Sequence, residues 1–161
     1  MEQTLPRRLR VGVAGLGRAF SVMLPTFLRH QRVQLVAGAD PRAEARTRFE
    51  QDFGGRAYTS VEELCADPIV EAVYVATPHQ HHTAHATLAA VAGKHLLIEK
   101  PIALTLQDAQ AITETARKAG VYVVVGHSHS FDAPILRARA LVNSGAYGPV
   151  RMISALNYTD F

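Results

Sequence analysis

The chain has 161 residues, of which 48% are hydrophobic and 19% are charged, and its formal net charge is +3. This is the composition of a globular protein with enough apolar residues for one core, and it excludes a disordered, collagen-like or fibrous chain. The basic residues form no block of five and no aromatic stripe runs between them, so nucleic acid is not an expected partner.

The apolar runs are short. Residues 121–125 are one of the longest, whereas a helix needs about 20 apolar residues to cross a bilayer. Residues 1–10 are polar and basic and no apolar signal segment follows them, so we expect no membrane partner and a cytoplasmic location. Cys65 is the single cysteine, and it is predicted to be a structural thiol.

Short runs rich in Val, Leu and Ile alternate with helical stretches along the chain. Such runs are typical of strands that are buried on both faces, and the predicted strands are residues 9–14, 33–39, 72–76, 95–98 and 121–125. The alternation of strand and helix predicts an α/β fold, a doubly wound parallel sheet of the Rossmann type.

Helix ends are marked by their own residues. Ser60 with Glu63, and Thr105 with Asp108, have the spacing of capping boxes at helix N-termini. Gly120 stands where a helix is expected to end in a left-handed residue.

The first predicted strand leads directly into a glycine-rich loop, Gly15-Leu16-Gly17-Arg18-Ala19-Phe20. Gly15 permits a tight turn, and Gly17 lets backbone N–H groups approach a pyrophosphate at the start of a helix. We therefore predict that all six residues contact a dinucleotide. Phe20 departs from the fingerprint, which has Gly or Ala there. A plain pair of turn glycines, with Arg18 as a solvated first-turn residue, is the alternative.

Asp40 ends the second predicted strand, twenty residues after Phe20. A carboxylate at this place accepts both hydroxyls of an adenosine ribose. Asp40-Pro41 is also typical of a helix N-cap followed by proline, and the two roles can coexist. The Asp40 carboxylate repels the 2′-phosphate of NADP, whereas Arg42 attracts it, so NAD is the favoured cofactor and NADP the alternative.

The strand at 72–76 runs into a histidine-rich segment, Thr77-Pro78-His79-Gln80-His81-His82. The carboxyl ends of parallel strands form the ligand crevice, so we expect this segment beside the nicotinamide half of the dinucleotide. His81 and His85 have the i, i+4 spacing of metal ligands. Because the sequence fixes no third ligand, no metal is predicted.

The strand at 95–98 runs into Glu99-Lys100-Pro101. A lysine at the carboxyl end of a buried strand is partly desolvated, which suits it to proton transfer. A surface Glu-Lys turn would have the same sequence, so the tripeptide alone does not decide between the two.

Together these motifs resemble the amino-terminal domain of the Gfo/Idh/MocA oxidoreductases, over about residues 8–161. The resemblance rests on the order Gly-x-Gly loop, acid, Thr-Pro-x-x-x-His, Ala-Gly-Lys-His and Glu-Lys-Pro. It implies a catalytic Lys100, which contacts the substrate hydroxyl that loses a proton as hydride moves to NAD or NADP. It matches His82 to the family histidine after Thr-Pro, a second catalytic candidate. The residues it places at the cofactor are Thr77, Pro78, His79, His82, Glu99 and Lys100. In the family the Lys-Pro peptide is often cis.

Two departures bear on the substrate. His79 stands where the family usually has Asn, and residues 126–131 read Gly-His-Ser-His-Ser-Phe instead of the commoner aromatic-Asn-Arg-Arg-Phe. Histidines at the crevice gain positive charge as pH falls, which suits an anionic small molecule. Several stretches, among them Val-Tyr-Val-Ala-Thr-Pro-His-Gln, are similar to 4,5-dihydroxyphthalate and phthalate-dihydrodiol dehydrogenases. An anionic aromatic dihydrodiol is thus the expected substrate class.

The predicted domains are a dinucleotide-binding domain at 1–130 and, at 131–161, a linker helix with the first strand of a second, α+β domain. In the family the second domain carries the subunit interface and an Asp-x-x-x-His pair, and domain sizes predict a complete chain of roughly 300 residues. We therefore expect a fragment of a homo-oligomeric enzyme, one that binds dinucleotide more readily than it catalyses.

Two alternatives belong to other classes. An S-adenosylmethionine methyltransferase also uses a glycine loop and an acid, but it gives no reason for Glu-Lys-Pro. A non-catalytic module that senses a dinucleotide would keep the fold without needing Lys100.

Overall fold

The computed structural model describes residues 7–156. Six parallel strands form one sheet in the order β3-β2-β1-β4-β5-β6. This is the doubly wound arrangement that the alternating pattern predicts, so the Rossmann fold is confirmed. The strands are β1 (Leu9–Ala14), β2 (Val33–Ala39), β3 (Arg56–Tyr58), β4 (Ala72–Val75), β5 (His95–Ile98) and β6 (Val123–Val125).

Helices follow the strands, and short 3-10 turns lie at His79–His81 and Ser128–Phe131. The helices are α1 (Arg18–Arg29), α2 (Ala43–Phe53), α3 (Val61–Ala66), α4 (His82–Val91), α5 (Leu106–Ala119) and α6 (Ala133–Asn143).

The predicted caps form, with one difference. Ser60 and Glu63 make both hydrogen bonds of a capping box at the start of α3. At the start of α5 the Thr105 hydroxyl accepts from the Asp108 N–H, but the Asp108 carboxylate accepts from that same hydroxyl at 2.7 Å. Aspartate is one methylene shorter than the glutamate of a full box. Gly120 ends α5 with φ +68°.

The core forms two clusters because successive side chains of each strand point to opposite faces of the sheet. In the α3–α5 cluster, Leu64, Ile98 and Ile112 are fully buried between the sheet and α3, α4 and α5. In the α1–α2 cluster, Phe27 of α1 packs against Tyr74 of β4, and Phe20 of α1 packs against Phe49 and Phe53 of α2. Cys65 belongs to the α3–α5 cluster, and burial raises the pKa of its thiol to about 11, as expected of a structural cysteine.

The sheet edges differ most from the prediction. No strand was predicted at β3, whose three residues are too short to show a period. β6 begins two residues later than predicted, and Val124 is 49% exposed instead of buried on both faces. β6 pairs with β5 alone among the described strands, so one of its edges has no partner in the sheet.

The chain divides into two compact units, one ending at Gly126 and one beginning at His127. The second contains α6, a helix within the 131–161 segment where a linker helix is predicted. The predicted first strand of the second domain is the alternating run at 150–161. Residues 150–156 form no strand, and 157–161 lie outside the described residues. The assignment of this unit to a second α+β domain stays a prediction. In residues 7–156 no helix has the length and hydropathy of a membrane span.

The buried side chain of Lys94 holds the loop between α3 and β4 by hydrogen bonds. The Nζ of Lys94 is 2.8 Å from the carbonyl oxygens of Asp67 and Val70, to which it donates hydrogen bonds. In Lys94→Met both carbonyls lose this donor, which we expect to lower the free energy of unfolding by about 1–3 kcal/mol in urea titrations. Lys118→Met, on the exposed end of α5, should change it by less than about 0.5 kcal/mol. Equal stability of the two variants would contradict this role for Lys94.

Candidate functional site

A cavity of about 660 Å³ opens at the carboxyl edge of the sheet. It is lined by residues that follow β1, β2, β3 and β4, and by the first turns of α1, α3 and α4. Its size lies in the range of small-molecule and cofactor sites.

The glycine loop forms one wall of this cavity, to which Gly15, Gly17, Arg18 and Ala19 contribute. Gly15 has φ +93°, and a Cβ there would lie 2.8 Å from the carbonyl oxygen of Ala76, so no larger residue fits. No described side chain caps the first N–H groups of α1. An uncapped helix N-terminus beside a glycine is where a phosphate binds in this fold.

Two residues of the loop turn away from the cavity. Phe20 is 6% exposed, and its ring centroid lies 6.2 Å from that of Phe49 and 6.0 Å from that of Phe53. Leu16 packs against the same α1–α2 cluster. The departure at Phe20 therefore fills the space between α1 and α2, and the predicted contact of these two side chains with a cofactor has no support in the geometry.

Asp40 and Arg42 also line the cavity, and their side chains form an ion pair. The Asp40 carboxylate accepts hydrogen bonds from the N–H groups of Leu16 and Arg42 at 3.0 Å, from Arg42 Nε at 2.9 Å and from Arg42 Nη2 at 3.0 Å. Burial alone would raise the pKa of Asp40, but these hydrogen bonds and the guanidinium charge outweigh burial and hold the pKa below its usual value.

The N-cap alternative for Asp40 is wrong. α2 begins at Ala43 and its N-cap position is Arg42, which has no side-chain cap. Asp40 instead accepts the N–H two residues along, an Asx turn that holds Arg42 over the carboxylate.

Thr77 and Pro78 line the cavity, and so do His81 and His85. The segment that contains His81 was expected at the crevice, whereas His85 was considered only for its metal-ligand spacing. The two imidazoles stack with centroids 5.5 Å apart, and His85 Nδ1 lies 3.0 Å from Thr77 Oγ1. Burial and the neighbouring His81 lower the pKa of His85, which favours the neutral ring. Residues 7–156 contain no group of three or more side chains able to hold a metal ion.

Glu99 and Lys100 follow β5, the strand beside β4, and do not line the cavity itself. Tyr74 donates a 2.7 Å hydrogen bond to Glu99 Oε1, and burial together with this carboxylate raises the pKa of Tyr74. Lys100 is exposed, and the Lys100–Pro101 peptide is cis. Tyr74 was missed from the sequence, although a tyrosine within an apolar strand signals a hydroxyl that needs a partner.

His79 and His82 do not line the cavity either. His82 is fully buried, with Nδ1 2.9 Å from the carbonyl oxygen of Pro101 and Nε2 2.9 Å from that of Thr77. The His79 ring packs edge-on against it, with centroids 5.5 Å apart. The predicted catalytic role of His82 has no support in this geometry, because its ring is fully buried and both ring nitrogens face main-chain carbonyl oxygens.

The fold and the cavity are those of a dinucleotide-binding oxidoreductase domain. Residues 9–127 match the family described as GFO_IDH_MocA, an oxidoreductase family with an NAD-binding Rossmann fold, and the chain belongs to this family.

Two relatives are named as dehydrogenases of cyclic diols. The chain is 53% identical over 154 residues to the 1-carboxy-3-chloro-3,4-dihydroxycyclohexa-1,5-diene dehydrogenase of Comamonas testosteroni, covering 95% of this chain and 39% of that protein. It is 32% identical over 150 residues to the trans-1,2-dihydrobenzene-1,2-diol dehydrogenase of Danio rerio, covering 91% and 45%.

Among solved structures, the WlbA dehydrogenase from Bordetella pertussis in complex with NADH and UDP-GlcNAcA superposes with a TM-score of 0.80 at 28% identity, over 88% of this chain and 44% of that one. The 3-ketoreductase KijD10 from Actinomadura kijaniata, in complex with TDP-benzene and NADP, gives 0.78 at 26%, over 87% and 43%. The chain thus spans less than half the length of these proteins.

Arg42 offers a test of cofactor discrimination, because its guanidinium contacts both oxygens of the Asp40 carboxylate, which is expected to meet the adenosine ribose. In Arg42→Met we expect the ratio of the NADPH to the NADH dissociation constant to rise by about tenfold, since the phosphate loses a charge-assisted partner. Fluorescence titration with both dinucleotides measures this ratio. Arg48→Met, on the exposed face of α2, is the matched control, and an unchanged ratio in both variants would contradict the assignment.

Proposed function

We propose that this chain is the cofactor-binding part of an NAD(P)-dependent dehydrogenase that moves hydride between the nicotinamide and a hydroxyl-bearing carbon of a dihydrodiol. One observation carries the proposal. The uncapped start of α1, the Gly15–Gly17 turn and Asp40 surround one cavity, and Lys100 stands at the end of the strand beside it. The family match removes the methyltransferase alternative.

Different residues of the cavity would bind different parts of the dinucleotide. The N–H groups at the start of α1 would hold the pyrophosphate, and Asp40 would accept the ribose hydroxyls once Arg42 leaves it. Thr77 and Pro78, at the end of β4, would meet the nicotinamide half. The bound cofactor supplies a carbon that accepts or returns hydride.

Lys100 would accept and return the proton of the substrate hydroxyl. Its amine Nζ is proposed to take the proton from the substrate hydroxyl when the diol is oxidised, and to return it in the reverse direction. The side chain is exposed, as a group that must reach a second molecule needs to be. Glu99 and Pro101 would shape the turn from which Lys100 projects.

The proposed substrate is an anionic aromatic dihydrodiol. The relative of highest identity in the comparison above is named for a carboxylated dihydroxycyclohexadiene, which supports this class. His81, in the 3-10 turn before α4, lines the cavity and offers a hydrogen-bond donor there to an anionic group. We further propose a homo-oligomer for the complete protein and keep the cytoplasmic location as a prediction.

Binding of NADH by this chain tests the first half of the proposal. Gly17→Asp places a carboxylate beside the start of α1, which we expect to weaken NADH binding by about tenfold or more, measured by fluorescence enhancement. Gln110→Asp adds the same charge on the exposed face of α5 and should bind as the unaltered chain does. If the unaltered chain does not bind NADH, the proposal fails.

Turnover by the complete protein tests the second half. With a carboxylated dihydrodiol and NAD, Lys100→Met is expected to lower kcat by about 10²- to 10⁴-fold, the usual contribution of a general acid or base. Lys118→Met is the matched control. Turnover that is unchanged in Lys100→Met would contradict the role of the lysine, and cofactor binding without turnover of any diol would favour the non-catalytic module.

A further inference from the structure

His82 is the first residue of α4, and its imidazole lies between two turns at the carboxyl edge of the sheet. One ring nitrogen contacts the carbonyl oxygen of Thr77, which lines the cavity, and the other contacts the carbonyl oxygen of Pro101, which follows Lys100, both at 2.9 Å. A neutral ring donates to one of these oxygens, and a ring protonated at both nitrogens donates to both.

The ring has no contact with solvent, since His82 is 0% exposed. A buried imidazole without hydrogen-bond partners is costly, so the ring is held against the carbonyl oxygens of the two turns. α4 is itself fixed against the sheet by Ala86, Ala89 and Ala90, which are fully buried in the α3–α5 cluster. The imidazole is therefore a short, rigid link between the two turns.

The lysine turn is also held from the opposite face of the sheet. Tyr74 belongs to the α1–α2 cluster, is 1% exposed and donates to Glu99 Oε1 at 2.7 Å. Glu99 Oε2 in turn accepts from the N–H of Lys100 at 3.2 Å. The main chain around Lys100 is thus fixed on both sides, while the Lys100 side chain is left exposed.

We propose that His82 is a positioning residue that couples the cavity-lining turn at Thr77 to the turn that carries Lys100, with Tyr74 supporting the same turn from the other face. The inference rests on the proposed function, because it gives Lys100 a fixed place relative to the nicotinamide. A positioning residue of this kind leaves dinucleotide affinity nearly intact and changes how the lysine meets the cofactor.

The sequence provides a direct probe of Lys100. The chain has three lysines, at 94, 100 and 118. Reductive ¹³C-methylation therefore gives a simple NMR spectrum in which Lys118, on the exposed end of α5, is an internal reference and Lys100→Arg assigns the Lys100 signal. With saturating NADH we expect the Lys100 signal to shift and the Lys118 signal to stay.

In His82→Gln and in Tyr74→Phe we expect the NADH-induced shift of Lys100 to fall by about half or more, while the NADH dissociation constant changes by less than about threefold. Tyr74→Phe removes a single hydroxyl and so guards against a His82 variant that does not fold. Affinity and shift falling together would indicate general damage to the fold and would overturn the proposal, as would wild-type shifts in both variants.

Hydrogen exchange without cofactor tests the coupling separately from the proposed function. In His82→Gln the amides of His81 and Lys100, which donate to the Pro78 carbonyl oxygen and to Glu99 Oε2 in the two turns, should exchange faster together by about three- to tenfold, as the loss of one hydrogen bond predicts. His95→Gln is the matched control, because His95 also contacts main chain, the N–H of Tyr122, but at the sheet edge. Faster exchange in one turn alone, or in neither, overturns the coupling.

The two failures can be told apart. A chain that does not bind NADH defeats the proposed function, yet its exchange pattern still decides whether His82 couples the turns. A chain that binds NADH without any shift of Lys100 keeps the cofactor site and overturns the positioning of the lysine.

Discussion

The arrangement of the site depends on the close approach of two backbones at Gly15. With φ +93° and no side chain, this residue lets the end of β1 pass the end of β4, where any Cβ would lie 2.8 Å from the Ala76 carbonyl oxygen. The approach directs the chain into α1 with its first N–H groups uncapped and puts the glycine loop opposite Thr77 and Pro78. The cavity exists because these two turns can be neighbours.

The charged side chains of Asp40 and Lys100 have different surroundings. At Asp40 a buried carboxylate is neutralised by Arg42 and backbone donors, so the end proposed for the ribose carries no unpaired anion until a ligand displaces the arginine. At Lys100 the main chain is fixed by buried contacts and the side chain is free to meet a second molecule. The first end is suited to recognition and the second to chemistry.

Much of the fold was predictable because its strongest signals are local. β1, β2 and β5 were placed with their observed bounds, since buried parallel strands show as uninterrupted apolar runs between helices. β3 was missed and β6 was overextended, because edge strands are short and their burial depends on what lies beside them. The Ser60 box and the turn at Gly120 followed from residue chemistry alone.

The sequence predicted which residues could belong to the site, but not which of their side chains are buried in the core. Spacing singled out Gly15 and Asp40 as candidates, and the resemblance to the family singled out Lys100. Neither could show that Phe20 packs into the α1–α2 cluster or that the His82 ring is buried between two turns, since both depend on packing across elements. The account is tested most directly by a crystal structure of this chain with NADH. It predicts the pyrophosphate at the start of α1, the adenosine ribose at Asp40 and the nicotinamide ring near Lys100. A dinucleotide bound elsewhere on the sheet, or a cavity closed by the ring of Phe20, would contradict it.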